Sequence, residues 1–148
     1  DEIINNSVGG STTFDVLGRF KVENPDLIIF AVGLNDSSDF EGEKRVLLVD
    51  FKKNIETLIK QSKAKTIFVG LTPVDESKSV TEFEAYVNDE IHKYDILIKE
   101  ICKKHKITFV EVFDKWMKLD YKKLLADGVH SNEEGHKLLF EEIIKALK

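Results

Sequence analysis

Three short segments carry residue types that can do chemistry. In Asp127-Gly-Val-His130 an aspartate stands three positions before a histidine, on a stretch that leads into a helical pattern. At that spacing the carboxylate reaches one imidazole nitrogen, fixes the tautomer, and leaves the other nitrogen facing outward as a general base. The same stretch also reads as a solvated loop. With His136 added it reads as a set of metal ligands, although His136 falls six residues on, inside the helical pattern, and need not face the same way.

The second segment is Val32-Gly-Leu-Asn-Asp-Ser37, directly after an apolar run. The Asn35 amide is a donor suited to a developing oxyanion. Asn35-Asp36 also suits an ordinary turn, in which Asp36 bonds its own backbone. The third is Asn5 to Thr13, NNSVGGSTT, where adjacent glycines at a strand-to-helix turn free the backbone N–H groups to meet a negative oxygen. A plain tight turn satisfies the same residues. No Gly-Lys-Ser/Thr follows, so a phosphate loop is disfavoured.

These segments need elements to hold them. Glu2 to Val8 reads as a short strand ending at Gly9-Gly10, after which Ser11 or Thr12 caps a helix running to about Phe20. Leu27 to Val32 is apolar throughout, the pattern of a strand buried on both faces. Gly33 to Gly42 reads as a polar loop, and Glu43 to about Ser62 as a helix. Thr66 to Leu71 is a second buried strand, followed by a loop through Val80 and a long helix from Phe83 to about His105. Ile107 to Val112 is a third strand. Trp116, Leu119 and Tyr121 lie in irregular or short helical chain, and Glu133 to Leu147 is a final helix capped by Asn132 or Ser131. Strands alternating with long helices predict an α/β fold with a parallel sheet covered on both faces. Ligand sites in such folds lie at the carboxyl ends of the strands, and Gly10, Asn35 and the Thr72-Pro73 loop all follow strands directly.

The 148 residues suit a single domain spanning 1–148, and 42% hydrophobic content with ten Phe argues against disorder. A net charge of −5 leaves no basic footprint for nucleic acid. The longest apolar run, Leu27 to Val32, is far short of the roughly 18 residues of a membrane span. The single cysteine, Cys102, excludes an internal disulfide and sits on an apolar helical stripe, as a buried structural thiol would. His92 and His105 lie on or at the end of the long helix and carry no functional role in this reading. No signal peptide is read in the chain, so the expected compartment is the cytoplasm.

Taken in order, the segments resemble the SGNH hydrolase (GDSL esterase/lipase) superfamily, whose four blocks supply Ser, Gly, Asn and an Asp-x-x-His pair. VGGSTT is similar to the second block, with Gly10 at the glycine whose N–H helps form the oxyanion hole. GLND is similar to the third, with Asn35 as the side-chain donor to that hole. DGVH is similar to the last, with Asp127 and His130 as triad members. The resemblance implies a flavodoxin-like three-layer α/β/α fold and a serine esterase or acylhydrolase that cleaves small-molecule carboxylic esters. It implies neither a metal nor an organic cofactor.

The first block of that pattern, Gly-Asp-Ser-Leu or similar, is not in this sequence, which starts four residues before the Asn5–Thr13 segment that holds the second block. In a flavodoxin-like order the first strand lies inside the sheet, between the second and third. The expectation is therefore a fragment lacking the first strand and helix, or a chain complemented by an N-terminal segment or second chain that brings the serine. Ser11, on a strand-to-helix turn, is the weaker candidate nucleophile. The alternative is a non-catalytic binding module of the same fold.

Overall fold

The computed structural model describes residues 2–148. Three parallel strands, β1 (Leu27–Phe30), β4 (Lys65–Val69) and β6 (Thr108–Val110), form the main sheet in the order β1-β4-β6. Leu27 pairs with Lys65 and Phe30 with Phe68, while Ile67 to Val69 pair with Thr108 to Val110. The two-residue period of β4 then sorts its side chains. Phe68 points into a core built by α3 (Leu48–Gln61) and α5 (Asn88–His105), with α1 (Thr13–Arg19) packed against α3. Ile67 and Val69 point the other way, onto Val112, Trp116 of α6 (Phe113–Met117) and the apolar side of α7 (Glu133–Leu147). The result is the expected three-layer α/β arrangement.

The α3 stripe Phe51, Asn54, Ile55 and Leu58 is buried at helical spacing, as is Ile91, Tyr94, Ile98, Ile101 and Cys102 on α5. Cys102 is fully buried, and burial pushes its thiol up to about 12, so it stays an inert, protonated part of the core. Among the described residues, no helix is long and apolar enough to cross a membrane.

Several boundaries differ from the sequence reading, for two reasons. The first is a second, antiparallel sheet, β3-β2-β5, built from β2 (Asp39–Phe40), β3 (Glu43–Lys44) and β5 (Glu84–Ala85). It takes Glu43 and Glu84 out of the helices predicted from Glu43 and Phe83, so that α3 starts at Leu48 and α5 at Asn88. The segment read as a polar loop, 33–42, instead holds α2 (Leu34–Ser37) and β2. Within the loop read as running to Val80 lies another short helix, α4 (Glu76–Ser79).

The second reason is the edge of the main sheet. Among the described residues β1 has β4 on one side and no strand on the other, and Ile29 is 43% exposed, so this strand is not buried on both faces. Residues 2–8, read as a strand, pair with nothing among the described residues, and Ile3 and Ile4 are exposed. A strand has no ladder without a neighbour.

The carboxyl end of β4 is fastened by a buried acid. Asp95 of α5 is 3% exposed, and its Oδ1 accepts the Leu71 N–H at 2.7 Å. A Cβ on Gly70 would stand 2.8 Å from Val110 O and 3.0 Å from Asp95 Oδ1, which explains the glycine there. Burial pushes Asp95 up to about 6, against the Leu71 bond, with Asp114 and Glu111 raising it further and His92 opposing. Since the folded state binds this proton more tightly than the unfolded chain, Asp95 favours folding most at acid pH. That contribution is lost as pH rises from near 4 to near 6. Asp95→Asn keeps an acceptor for Leu71 and removes the charge. Its stability relative to the parent should therefore improve between pH 4 and pH 7 by about 2 kcal/mol in urea titrations. Parallel pH profiles for the two proteins would contradict this assignment.

Candidate active site

The Gly10 turn is set by the helix cap that follows it. Thr12 stands at the N-cap of α1, and Asp15 in the first turn accepts from both the Thr12 N–H (2.8 Å) and Oγ1 (2.9 Å), which fixes the start of the helix just after the glycines. Gly10 has φ +75, a conformation that favours glycine, and its exposed N–H has no protein partner among the described residues. Ser11 sends its hydroxyl to Val8 O at 2.7 Å, inside the turn.

Asn35 enters from the end of β1. Gly33, at φ +130, lets the chain pass so close to the core that a Cβ there would meet Phe51 Cζ at 3.0 Å. The next turn, α2, presents the Asn35 side chain toward the Gly10 turn: Nδ2 donates to Ser11 O at 2.9 Å, and Oδ1 accepts from Tyr86 Oη at 2.8 Å. One Nδ2 hydrogen remains for a ligand. Asp36 does not form the local turn that its sequence allowed. It is fully buried and accepts the Thr13 N–H with both oxygens, at 3.0 and 3.1 Å, and the Thr13 hydroxyl with Oδ1. Burial raises its proton affinity and the Thr13 bonds lower it. The Gly10 and Asn35 segments are thus tied together by Asp36–Thr13 and by Asn35–Ser11.

Asp127 and His130 meet on the loop before α7. Asp127 Oδ2 lies 2.7 Å from His130 Nδ1, while Oδ1 accepts the N–H of His130 at 2.7 Å and of Val129 at 2.9 Å. Those two backbone donors, more than the imidazole, hold the Asp127 carboxyl down to about 2. An ionised carboxylate on Nδ1 keeps the proton there and leaves Nε2 as the basic nitrogen. The loop is braced from outside: Gly128 O accepts the Asp75 N–H at 2.8 Å, Ala126 N–H bonds His130 O at 2.8 Å, and Asn132 caps α7 by accepting the Gly135 N–H.

No serine hydroxyl among the described residues hydrogen-bonds His130, and none of those residues form a cluster of three acidic, His or Cys ligands that could hold a metal. His92 pairs with Asp114 at 3.1 Å and stacks on Phe113. Tyr86, Arg45 and Glu84 border the site but were not legible as such. Tyr86 fell inside the long helix predicted from Phe83 to about His105.

The chain is similar to several known proteins. A model of the GDSL-like lipase/acylhydrolase family matches residues 1–138. A GDSL esterase/lipase of Arabidopsis thaliana, CPRD49, is 25% identical over 140 residues, covering 84% of this chain and 55% of that protein. The chain thus spans about half the length of this curated relative. A lipase/acylhydrolase structure from Enterococcus faecalis superposes with a TM-score of 0.81 at 23% identity, over 92% of this chain and 70% of that one. An acetylxylan esterase from Geobacillus stearothermophilus superposes with a TM-score of 0.74 at 22% identity, over 93% and 68%.

The Asp127–His130 loop depends on Gly128, at φ +94, where a Cβ would stand 2.6 Å from Lys78 Cβ. Gly128→Ala should lower stability by about 1–3 kcal/mol in denaturant melts. An alanine variant as stable as the parent would show that the loop does not need this conformation.

Proposed function

Because the chain belongs to the GDSL-like lipase/acylhydrolase family, we propose that it carries the base, its carboxylate partner and the oxyanion donors of a serine ester hydrolase. The observation that carries this reading is the Asp127–His130 pair, with Oδ2 at 2.7 Å from Nδ1 and the second oxygen fixed by two backbone N–H groups. A carboxylate so held gives the imidazole one tautomer and one direction.

In this mechanism a serine Oγ attacks the ester carbonyl carbon while His130 Nε2 takes its proton. The tetrahedral oxyanion accepts hydrogen bonds from the Gly10 N–H and the remaining Asn35 Nδ2–H. Collapse expels the alcohol, to which His130 returns the proton, and leaves an acyl-enzyme. Water, deprotonated by the same nitrogen, then releases the acid. No step calls on a metal or an organic cofactor. The nucleophile is assigned to a segment preceding the described residues, or to a complementing chain, that pairs with the open edge of β1. Such a strand would end at the same side of the sheet as Asn35.

The substrate class follows from what borders the site. An open depression of about 450 Å³ is lined by Phe40, Glu43, Lys44, Arg45 and Glu84, four of them charged, and meets the Gly10 turn through Arg45. The loop around α4 is equally polar: Asp75 binds Ser77 and pairs with Lys122 at 3.2 Å. This lining suits a short acyl group, such as acetyl, on a polar alcohol better than a lipid chain. The acetylxylan esterase that shares the fold supports the same choice.

Two substitutions test the assignment in the full-length protein with p-nitrophenyl acetate. Asn35→Ala should lower kcat by about 10²–10³ and leave KM nearly unchanged, as expected for a donor used mainly in the transition state. His130→Ala should abolish turnover. A His130→Ala protein with parental kcat would remove the residue from the mechanism.

A further inference from the structure

The two segments assigned to the oxyanion hole are joined a second time, through the small antiparallel sheet. Arg45, one residue past β3, donates from Nη2 to Gly10 O at 2.8 Å, and its Nη1 lies 3.6 Å from Glu84 Oε1. Glu84 Oε1 in β5 lies 2.9 Å from Tyr86 Oη, which lies 2.8 Å from Asn35 Oδ1. Asn35 Nδ2 closes the circuit on Ser11 O, at 2.9 Å.

The amide cannot be turned over within this circuit. Exchanging its oxygen and nitrogen would set Oδ1 against Ser11 O, and a carbonyl oxygen only accepts. Tyr86 therefore faces two acceptors, the Asn35 oxygen and the Glu84 carboxylate, with one proton to give. If Glu84 takes it, Asn35 Oδ1 meets oxygen lone pairs and the amide loses its anchor. If Asn35 takes it, the amide is held at both ends, and its free N–H has one direction left. Donation to Oδ1 also draws electron density from the amide nitrogen and strengthens that N–H as a donor. The Asn35 contact is the shorter of the two, 2.8 against 2.9 Å, and the Arg45 charge 3.6 Å from Glu84 Oε1 offsets part of that carboxylate's pull on the proton. The Tyr86 hydroxyl keeps its proton throughout, since burial and the neighbouring Glu84 push it up to about 12. The residue is only 8% exposed, so water does not readily substitute for the contact.

We infer that Tyr86 is a positioning residue for ester hydrolysis: it donates to Asn35 Oδ1, and so fixes the direction and donor strength of the amide N–H that meets the oxyanion. The inference rests on the assignment of Asn35 to the oxyanion hole.

The test is a double-mutant cycle on the full-length protein with p-nitrophenyl acetate, together with the side-chain amide NMR signals of Asn35. Tyr86→Phe keeps the ring in its packing and removes the hydroxyl. It should lower kcat roughly tenfold, a part of what loss of a whole donor costs, with KM changed less than about twofold. Made in the Asn35→Ala background, the same change should cost nothing further, because Tyr86 acts through Asn35. A tenfold loss in both backgrounds would show a structural role and overturn the inference, as would parental kcat in Tyr86→Phe. If the parent protein hydrolyses no ester, the esterase reading fails, and the NMR signals still decide the contact. Tyr86→Phe must shift the Asn35 Nδ2–H resonances, and unmoved resonances would refute it.

Discussion

A buried carboxylate sets the geometry on which the site depends. Asp36 is fully buried, follows Asn35 in the chain, and accepts the N–H and hydroxyl of Thr13, three residues past Gly10. Asn54 of α3 donates to the same Thr13 hydroxyl at 2.9 Å, so the cluster is anchored in the helical layer. Leaving a buried carboxylate without donors costs several kcal/mol. The Gly10 turn and α2 therefore hold their relative position wherever the fold is intact. Any oxyanion site built from these two segments inherits its precision from that cluster, with the Tyr86 contact setting the last degree of freedom of the amide.

The same logic places the rest of the chemistry. Parallel strands end on one side of the sheet, and their following loops converge there. α2 follows β1, the Gly70–Asp75 stretch follows β4, and the latter braces the Asp127–His130 loop through Asp75 and Gly128. None of these loops is long. Each is pinned by backbone hydrogen bonds and by glycines placed where a Cβ would collide, as at Gly33 and Gly128. A catalytic group on such a loop needs little reorganisation when charge develops next to it.

Much of this was legible in the sequence because it rests on local rules. Apolar runs fixed the three parallel strands, helical spacing of Phe51, Ile55 and Leu58 fixed one face of the core, and Asp127-x-x-His130 fixed a pair whose contact spans one turn of chain. What escaped was non-local. The pairing of Asp39–Phe40 with Glu43–Lys44 and Glu84–Ala85 involves two-residue strands, too short for any period to reveal. That pairing is what brings Arg45, Glu84 and Tyr86 to the site. Residues 2–8 carry a strand-like pattern that stays unpaired, since a strand depends on its neighbour as much as on its own residues.

The central claim is that His130, oriented by Asp127, activates a serine carried outside residues 2–148. It is tested most directly by treating the full-length protein with a fluorophosphonate and mapping the adduct by mass spectrometry, beside the His130→Ala variant. One adduct, on a serine of the preceding segment or of a complementing chain, formed rapidly in the parent and not in the variant, is the predicted result. An adduct on Ser11, or labelling indifferent to His130, would contradict the account. So would no labelling at all, which would make the fold a binding module.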